Sequence, residues 1–178
     1  MRRLSSLLIA VLLTLYLTGC TVISRQRMAE ALTDVTFAQL HEQPDRYRGQ
    51  VVILGGQVIE VRNQADQTLM VILQSPLGSG QEPQPPERSQ GRFILRHDGF
   101  LDPEIYAKGR AITTAGRVVG RIREPIGEVP YDYPLLEALE IYLWAPEAER
   151  YPYRPYHRPW YYDPWYDRHP WRGYPYGW

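Results

Sequence analysis

Cysteine is all but missing from this 178-residue chain, in which Cys20 is the sole example. One thiol excludes an internal disulfide and a cysteine-ligated metal centre, so the fold has to be stabilised by packing. Excess charge of one sign is missing as well: 20 lysine and arginine residues face 20 aspartate and glutamate residues. Without a basic field nothing holds a phosphate backbone, and no nucleic-acid partner is expected. The apolar run from Leu7 to Leu17 falls short of the ~20 residues that a membrane-spanning helix needs.

Catalytic signatures are also scarce. No serine lies in a Gly-x-Ser-x-Gly context, the setting of an exposed nucleophile. Neither Gly55-Gly56 nor Gly78-Ser79-Gly80 leads into the lysine-bearing helix start of a phosphate loop. His97 and Asp98 are adjacent on an expected strand and point to opposite faces, so they cannot make an oriented dyad. Glu124, Glu128 and Asp132 read as solvated loop carboxylates rather than a glycosidase pair. His157 and His169, with Asp163 and Asp167, match no closed metal site. The expectation is a protein that is not an enzyme and carries no metal or cofactor.

What is present begins at the N-terminus. Arg2 and Arg3 form a positive region, Leu7 to Leu17 an apolar one, and Thr18-Gly19 supply small residues before the thiol of Cys20. The order is that of a secretion signal; the competing reading is a short, uncleaved membrane helix. Leu17-Thr18-Gly19-Cys20 closely resembles the lipobox of bacterial lipoproteins. That resemblance implies cleavage before Cys20, a diacylglyceryl group on its sulfur and acylation of the new amino terminus. Thr21 stands where aspartate commonly retains such proteins in the inner membrane, which implies transport to the outer membrane. Removing residues 1–19 leaves 178 − 19 = 159 residues, and loss of Arg2 and Arg3 leaves 18 basic against 20 acidic groups.

Residues 20–36 are expected to be a lipidated tether, with one helical turn near Met28 to Leu32. A domain over residues 37–146 opens with a short helix at Thr36 to His41, where Phe37 and Leu40 share a face. Five strands are predicted: Val51 to Arg62, bent or bulged at Gly55-Gly56; Thr68 to Gln74; Arg92 to His97; Arg110 to Arg123, coiled at Gly116 and Gly120; and Glu137 to Trp144, with Leu139, Ile141 and Leu143 on one face. Asp102, Pro103 and Gly109 mark the ends of a helix between the third and fourth strands. This order is that of the OB-fold. The expected architecture is mainly β, a small, OB-like, partly open five- to seven-stranded antiparallel barrel with one or two short helices and disordered termini. Leu135-Leu136 or the N-terminal segment would supply any extra strand.

A more specific resemblance is carried by Pro44-Asp45-Arg46-Tyr47-Arg48-Gly49, Val52 to Ile59, Gly91-Arg92-Phe93, Gly99 to Pro103, Tyr106, Gly109-Arg110, Gly116, Gly127-Glu128, Pro130 to Pro134 and Leu143-Trp144. In this order, behind a lipobox, the chain resembles the Slp family of outer-membrane lipoproteins over about residues 37–146. The resemblance implies a lipid anchor at Cys20, a partner in outer-membrane lipid, a periplasm-facing domain and a role connected with envelope stability, stress or starvation. It implies no defined molecular activity.

The same resemblance leaves residues 147–178 outside the expected family range. Residues 151–178 hold 12 of the 22 aromatics and 6 of the 16 prolines. Frequent proline forbids helix and sheet interior and leaves an extended, polyproline-like tail. Its Trp160, Trp165 and Trp171 suit contact with an envelope protein, glycan or lipid headgroup; the bland alternative is a disordered terminus without a ligand. Two functions remain open: a structural or interaction role in the envelope, or a binding module whose barrel mouth uses Tyr131, Tyr133 and Trp144 to stack on a small ligand or glycan.

Overall fold

The computed structural model describes residues 21–146. Two short helices come first, α1 at Arg25–Glu30 and α2 at Phe37–Glu42. The α2 start is fixed by its sequence. The Thr36 hydroxyl accepts from the Gln39 amide at 3.3 Å, and the Gln39 side-chain oxygen accepts from the Thr36 amide at 2.9 Å. This reciprocal cap satisfies two otherwise orphaned donors. It aims Phe37 and Leu40 inward, where both are buried.

Five strands follow: β1 (Val51–Asn63), β2 (Gln67–Ser75), β3 (Gly91–Asp98), β4 (Ala111–Ile126) and β5 (Val129–Leu143). They close in the order β1-β2-β3-β5-β4. All pairs are antiparallel except β3 with β5, which run parallel with Ile94 opposite Leu135 and Leu95 opposite Leu136. The order and the parallel pair are those of the OB-fold barrel. The barrel is closed, not partly open, because β1 pairs with both β2 and β4, the two pairings overlapping at Gly55, Gly56 and Gln57. Inward side chains fill it: Met70, Ile72, Phe93, Leu95, Ile112 and Leu136 are fully buried. The α2 helix plugs one end, with the Phe37 ring 6.3 Å from that of Phe93.

Gly55-Gly56 does not bulge β1, contrary to expectation. The bulge falls at Ile59, between Val58 and Glu60. The glycines serve close approach instead: a Cβ on Gly56 would overlap the Leu73 carbonyl, and one on Gly55 would meet the Leu77 side chain. On β4 both glycines stand beside irregularities of the β4–β5 pairing. Register shifts occur between Ala115 and Gly116 and between Val118 and Gly120. Gly120 has φ +145°, a region that side-chain-bearing residues avoid. Beside it, Asp45 receives a 2.6 Å hydrogen bond from Arg48 and lies 3.5 Å from Arg121. The Arg48 hydrogen bond, joined by the charges of both arginines, holds the Asp45 carboxyl below the usual range and outweighs the opposing effect of burial.

The hairpin of β4 and β5 is longer than the sequence suggests. The last strand begins at Val129, not Glu137, and a two-residue turn, Gly127-Glu128, joins it to Ile126. Leu139 is the extra residue opposite Gly116, so the phase of β5 flips there. Leu136, Ala138, Ile141 and Leu143 therefore belong to the interior cluster, whereas Leu139 packs outside with Ile23, Val51 and Ala115. A second bulge, at Val119, turns Ile122 and Ile126 onto the outward Ile59, Leu69, Val71 and Ile94.

The helix expected at residues 102–109 is a single turn. Its start signal is present: Asp102 Oδ1 accepts from the Glu104 amide at 2.8 Å, and the Asp102 carbonyl accepts from Tyr106 at 2.9 Å. Gly109, at φ +87°, stops the chain before a second turn forms; one turn cannot offset the cost of nucleating a helix.

Substituting Gly56 with alanine is expected to destabilise the barrel by ~1–3 kcal/mol, since the new Cβ meets backbone that cannot rotate away. Gly78→Ala, whose Cβ would find its first neighbour at 3.5 Å, should stay within ~0.5 kcal/mol of the parent. Urea unfolding followed by circular dichroism checks both; equal midpoints for the two variants would contradict the close-approach account.

Candidate functional site

The three aromatics expected to line the barrel mouth do not converge. Tyr131 and Tyr133 pack edge-on at 4.7 Å, and Tyr131 lies 5.1 Å from the His41 ring of α2. The Tyr131 hydroxyl accepts from the Arg92 amide at 2.9 Å, and Tyr133 is 3% exposed. These two rings seal the α2 end with the outer cluster and leave little face for a ligand. Trp144 sits elsewhere. Its indole donates to the Thr113 hydroxyl at 3.0 Å, and its ring meets Tyr142 edge-on at 4.9 Å. Cys20, the lipobox residues Leu17, Thr18 and Gly19, and Trp160, Trp165 and Trp171 lie outside the described residues.

Two of the three carboxylates weighed as catalytic pairs, Glu124 and Asp132, are tied to arginines. Glu124 accepts from Arg62 at 2.7 Å, and Asp132 lies 3.7 Å from Arg123. Burial lowers the pKa of Arg62, but the Glu124 hydrogen bond and the charges of Glu60 and Glu124 outweigh it and raise the value. A cleft of about 280 Å³ lies between the N-terminal segment and the loop after β2, bordered by Phe37, Leu54, Gln74 and Leu77. This is at the small end for a ligand pocket, and none of Tyr131, Tyr133 and Trp144 borders it.

The best-built polar constellation involves residues the sequence was expected to leave as a tether. Val22 and Ile23 both donate backbone N–H groups to the Gln81 side-chain oxygen, each at 3.1 Å. One residue on, Ser24 grips Glu140 twice, through its amide at 3.0 Å and its hydroxyl at 2.7 Å. The Ile23 side chain is fully buried against Val51, Ala115 and Leu139. At the far end Ala31 bridges to Val51, and the Leu32 amide donates to the Val51 carbonyl at 2.9 Å. Residues 21–32 are therefore a strap bound across the outside of β1, β4 and β5. Burying Ile23 alone is worth ~1.5–3 kcal/mol.

Gln81 is held for this task. Its backbone is left-handed at φ +67°, the one such non-glycine among the described residues. Its carbonyl accepts from the Thr113 hydroxyl at 2.7 Å, and that hydroxyl accepts from Trp144. A chain of hydrogen bonds thus runs from the indole through Thr113 to the strap receptor. The Gln81 amide nitrogen donates to Met28 Sδ of α1. The chemistry of the arrangement is that of a clamp, two backbone donors on one neutral oxygen and a serine on one carboxylate. No sequence pattern singles out Gln81 in its polar loop. The apolar pair Val22-Ile23, one residue beyond the cysteine's neighbour Thr21, was the available signal.

The model of the outer membrane lipoprotein Slp family matches residues 17–172. The chain belongs to this family. The chain is similar to "Uncharacterized lipoprotein YeaY" of Escherichia coli K12, 31% identical over 92% of this chain and 81% of the relative. "Outer membrane protein Slp" of the same strain is 33% identical over 74% of this chain and 71% of its own length. An "Uncharacterized protein" of Haemophilus influenzae is 29% identical over 72% and 70%. Two points follow for this Slp-family chain, an outer membrane lipoprotein. The match opens at Leu17, the first residue of the expected lipobox. It also runs to Arg172, so most of the tail expected to lie beyond the family lies within its range, and that expectation is corrected.

Both Gln81→Ala and Gln81→Gly remove the strap receptor and should destabilise by ~1–3 kcal/mol. Glycine alone relieves the left-handed backbone, so it should be the milder change by ~0.5–1 kcal/mol, although it deletes more of the side chain. Urea titration of the chain from residue 20 onward, carrying Cys20→Ala, gives the order; an alanine variant equal to or more stable than the glycine variant would contradict the strain at Gln81.

Proposed function

We propose that this lipoprotein is a structural or interaction component of the envelope, anchored through acylated Cys20, its domain facing the periplasm. The observation that carries the reading is the filled barrel. Inward side chains from all five strands and α2 are buried together, and the aromatics that a ligand-stacking mouth would need are spent on packing and on the Thr113 hydrogen bond. What such a molecule offers a partner is its surface. The Tyr- and Trp-rich tail, with Trp160, Trp165 and Trp171, supplies amphipathic rings that gain by meeting an apolar or sugar surface while keeping a polar edge wet. Stress or starvation is the setting the family name suggests.

Two experiments test this. Cys20→Ala should leave the domain folded and release it from washed outer membranes, because each buried acyl methylene contributes ~0.8 kcal/mol and a neutral protein has no substitute. Retention of the variant in the membrane pellet would contradict lipid anchoring. Deleting residues 147–178 from the lipidated protein should leave the melting temperature unchanged and remove specific cross-links to envelope components. An unchanged cross-link pattern would remove the tail from the proposal.

A further inference from the structure

We infer that the strap makes the lipid anchor a short, stiff one, so that the barrel rides directly on the phospholipid surface with its Gln81–Met28 side toward the bilayer. The inference rests on the lipidation of Cys20 proposed above. Three observations carry it. The first hydrogen bond to the barrel is made by the Val22 amide, two residues from the anchoring cysteine. Two Cα–Cα steps of ~3.8 Å put Cys20 within ~8 Å of that point. A free tether over residues 21–36 would instead span up to ~55 Å when extended.

The attachment is also redundant. Gln81 receives two backbone amides, Glu140 receives the Ser24 amide and hydroxyl, Ile23 is fully buried, and Leu32 closes the strap on Val51. Each contact fixes a different part of the strap, so loss of one leaves the rest in register. Finally, the receptor itself is stiff, because Gln81 is gripped by Thr113 of β4. Acyl chains fixed two residues from such a clamp leave the barrel little room to withdraw.

The surface beside the anchor suits this position. Arg25 is exposed, and Met28, in contact with Gln81, is 36% exposed. A cationic and an apolar side chain there can settle among headgroups without burying an unpaired charge. Glu128 of the Gly127-Glu128 turn lies twelve residues along the chain from Glu140, ~40 Å of extended strand away, and should face the aqueous side.

The test uses the full lipidated chain in phosphatidylethanolamine and phosphatidylglycerol vesicles carrying a headgroup nitroxide quencher. With Cys20 acylated, an added cysteine is the only free thiol for a fluorophore. A label at Met28→Cys, and independently at Arg25→Cys, should be quenched at least threefold more than one at Glu128→Cys. Inserting fifteen Gly-Ser residues after Thr21 should abolish that difference. Equal quenching at the two ends of the uninserted protein would overturn the inference, as would a difference that survives the insertion. Flotation with the vesicles is scored separately: a Cys20→Ala chain that still floats would overturn the lipid anchor itself.

Discussion

A barrel whose strands are apolar on both faces has to be covered outside as well as filled inside, and the remaining structure answers to that requirement. In β2, Met70 and Ile72 point inward, while Leu69 and Val71 point outward and are nearly as well buried. β1 does the same with Val52 and Leu54 against Val51 and Ile53. Water on those outer residues would cost ~25 cal/mol per Å² of apolar surface. Two elements remove it. The far half of the β4–β5 hairpin covers Ile59, Leu69, Val71 and Ile94, and the strap covers Val51, Ile53, Ala115 and Leu139.

This requirement explains features that look unrelated along the chain. The bulge at Val119 turns the hairpin residues Ile122 and Ile126 onto the outer cluster, and Arg62 bonds the same arm through Glu124. The flip at Leu139 sends one leucine out to meet Ile23 while its successors stay inside. The left-handed Gln81 gives the strap a receptor at the edge of the covered patch. With the lipidation of Cys20 proposed above, anchor and fold meet in one segment: the residues that follow the cysteine also complete the hydrophobic surface.

Much of the barrel was legible in the sequence. Four of the five strands start and stop within a few residues of expectation, the Thr36 cap was readable, and Gly120 adjoins the bulge of β4 while Gly116 faces that of β5. What escaped depends on contacts distant along the chain. Proline is disfavoured inside a sheet, yet Pro130 lies opposite Pro125 near the hairpin tip, Pro134 lies opposite Arg121, and Leu135 and Leu136, expected only as an extra strand, pair on both sides within β5. The strap escaped because a six-residue helix and two apolar side chains show no period of their own. The hint was indirect: Val51-Val52-Ile53-Leu54 and Leu69 to Leu73 run apolar without alternation, the pattern of strands buried on both faces. Six aromatic candidates shared one rationale, affinity for flat surfaces; in Tyr133 the structure uses that affinity for packing.

Hydrogen exchange on the purified, lipidated protein tests the account most directly, because amides at Val22, Ile23 and Leu32 are donors to the barrel only if the strap is bound. Peptides covering residues 21–32 should be protected to a degree approaching that of β1, since opening them uncovers Ile23 and Val51. Complete exchange of those peptides in the earliest time point, with β1 still protected, would mean the segment is a free tether, and the union of anchor and fold would be wrong.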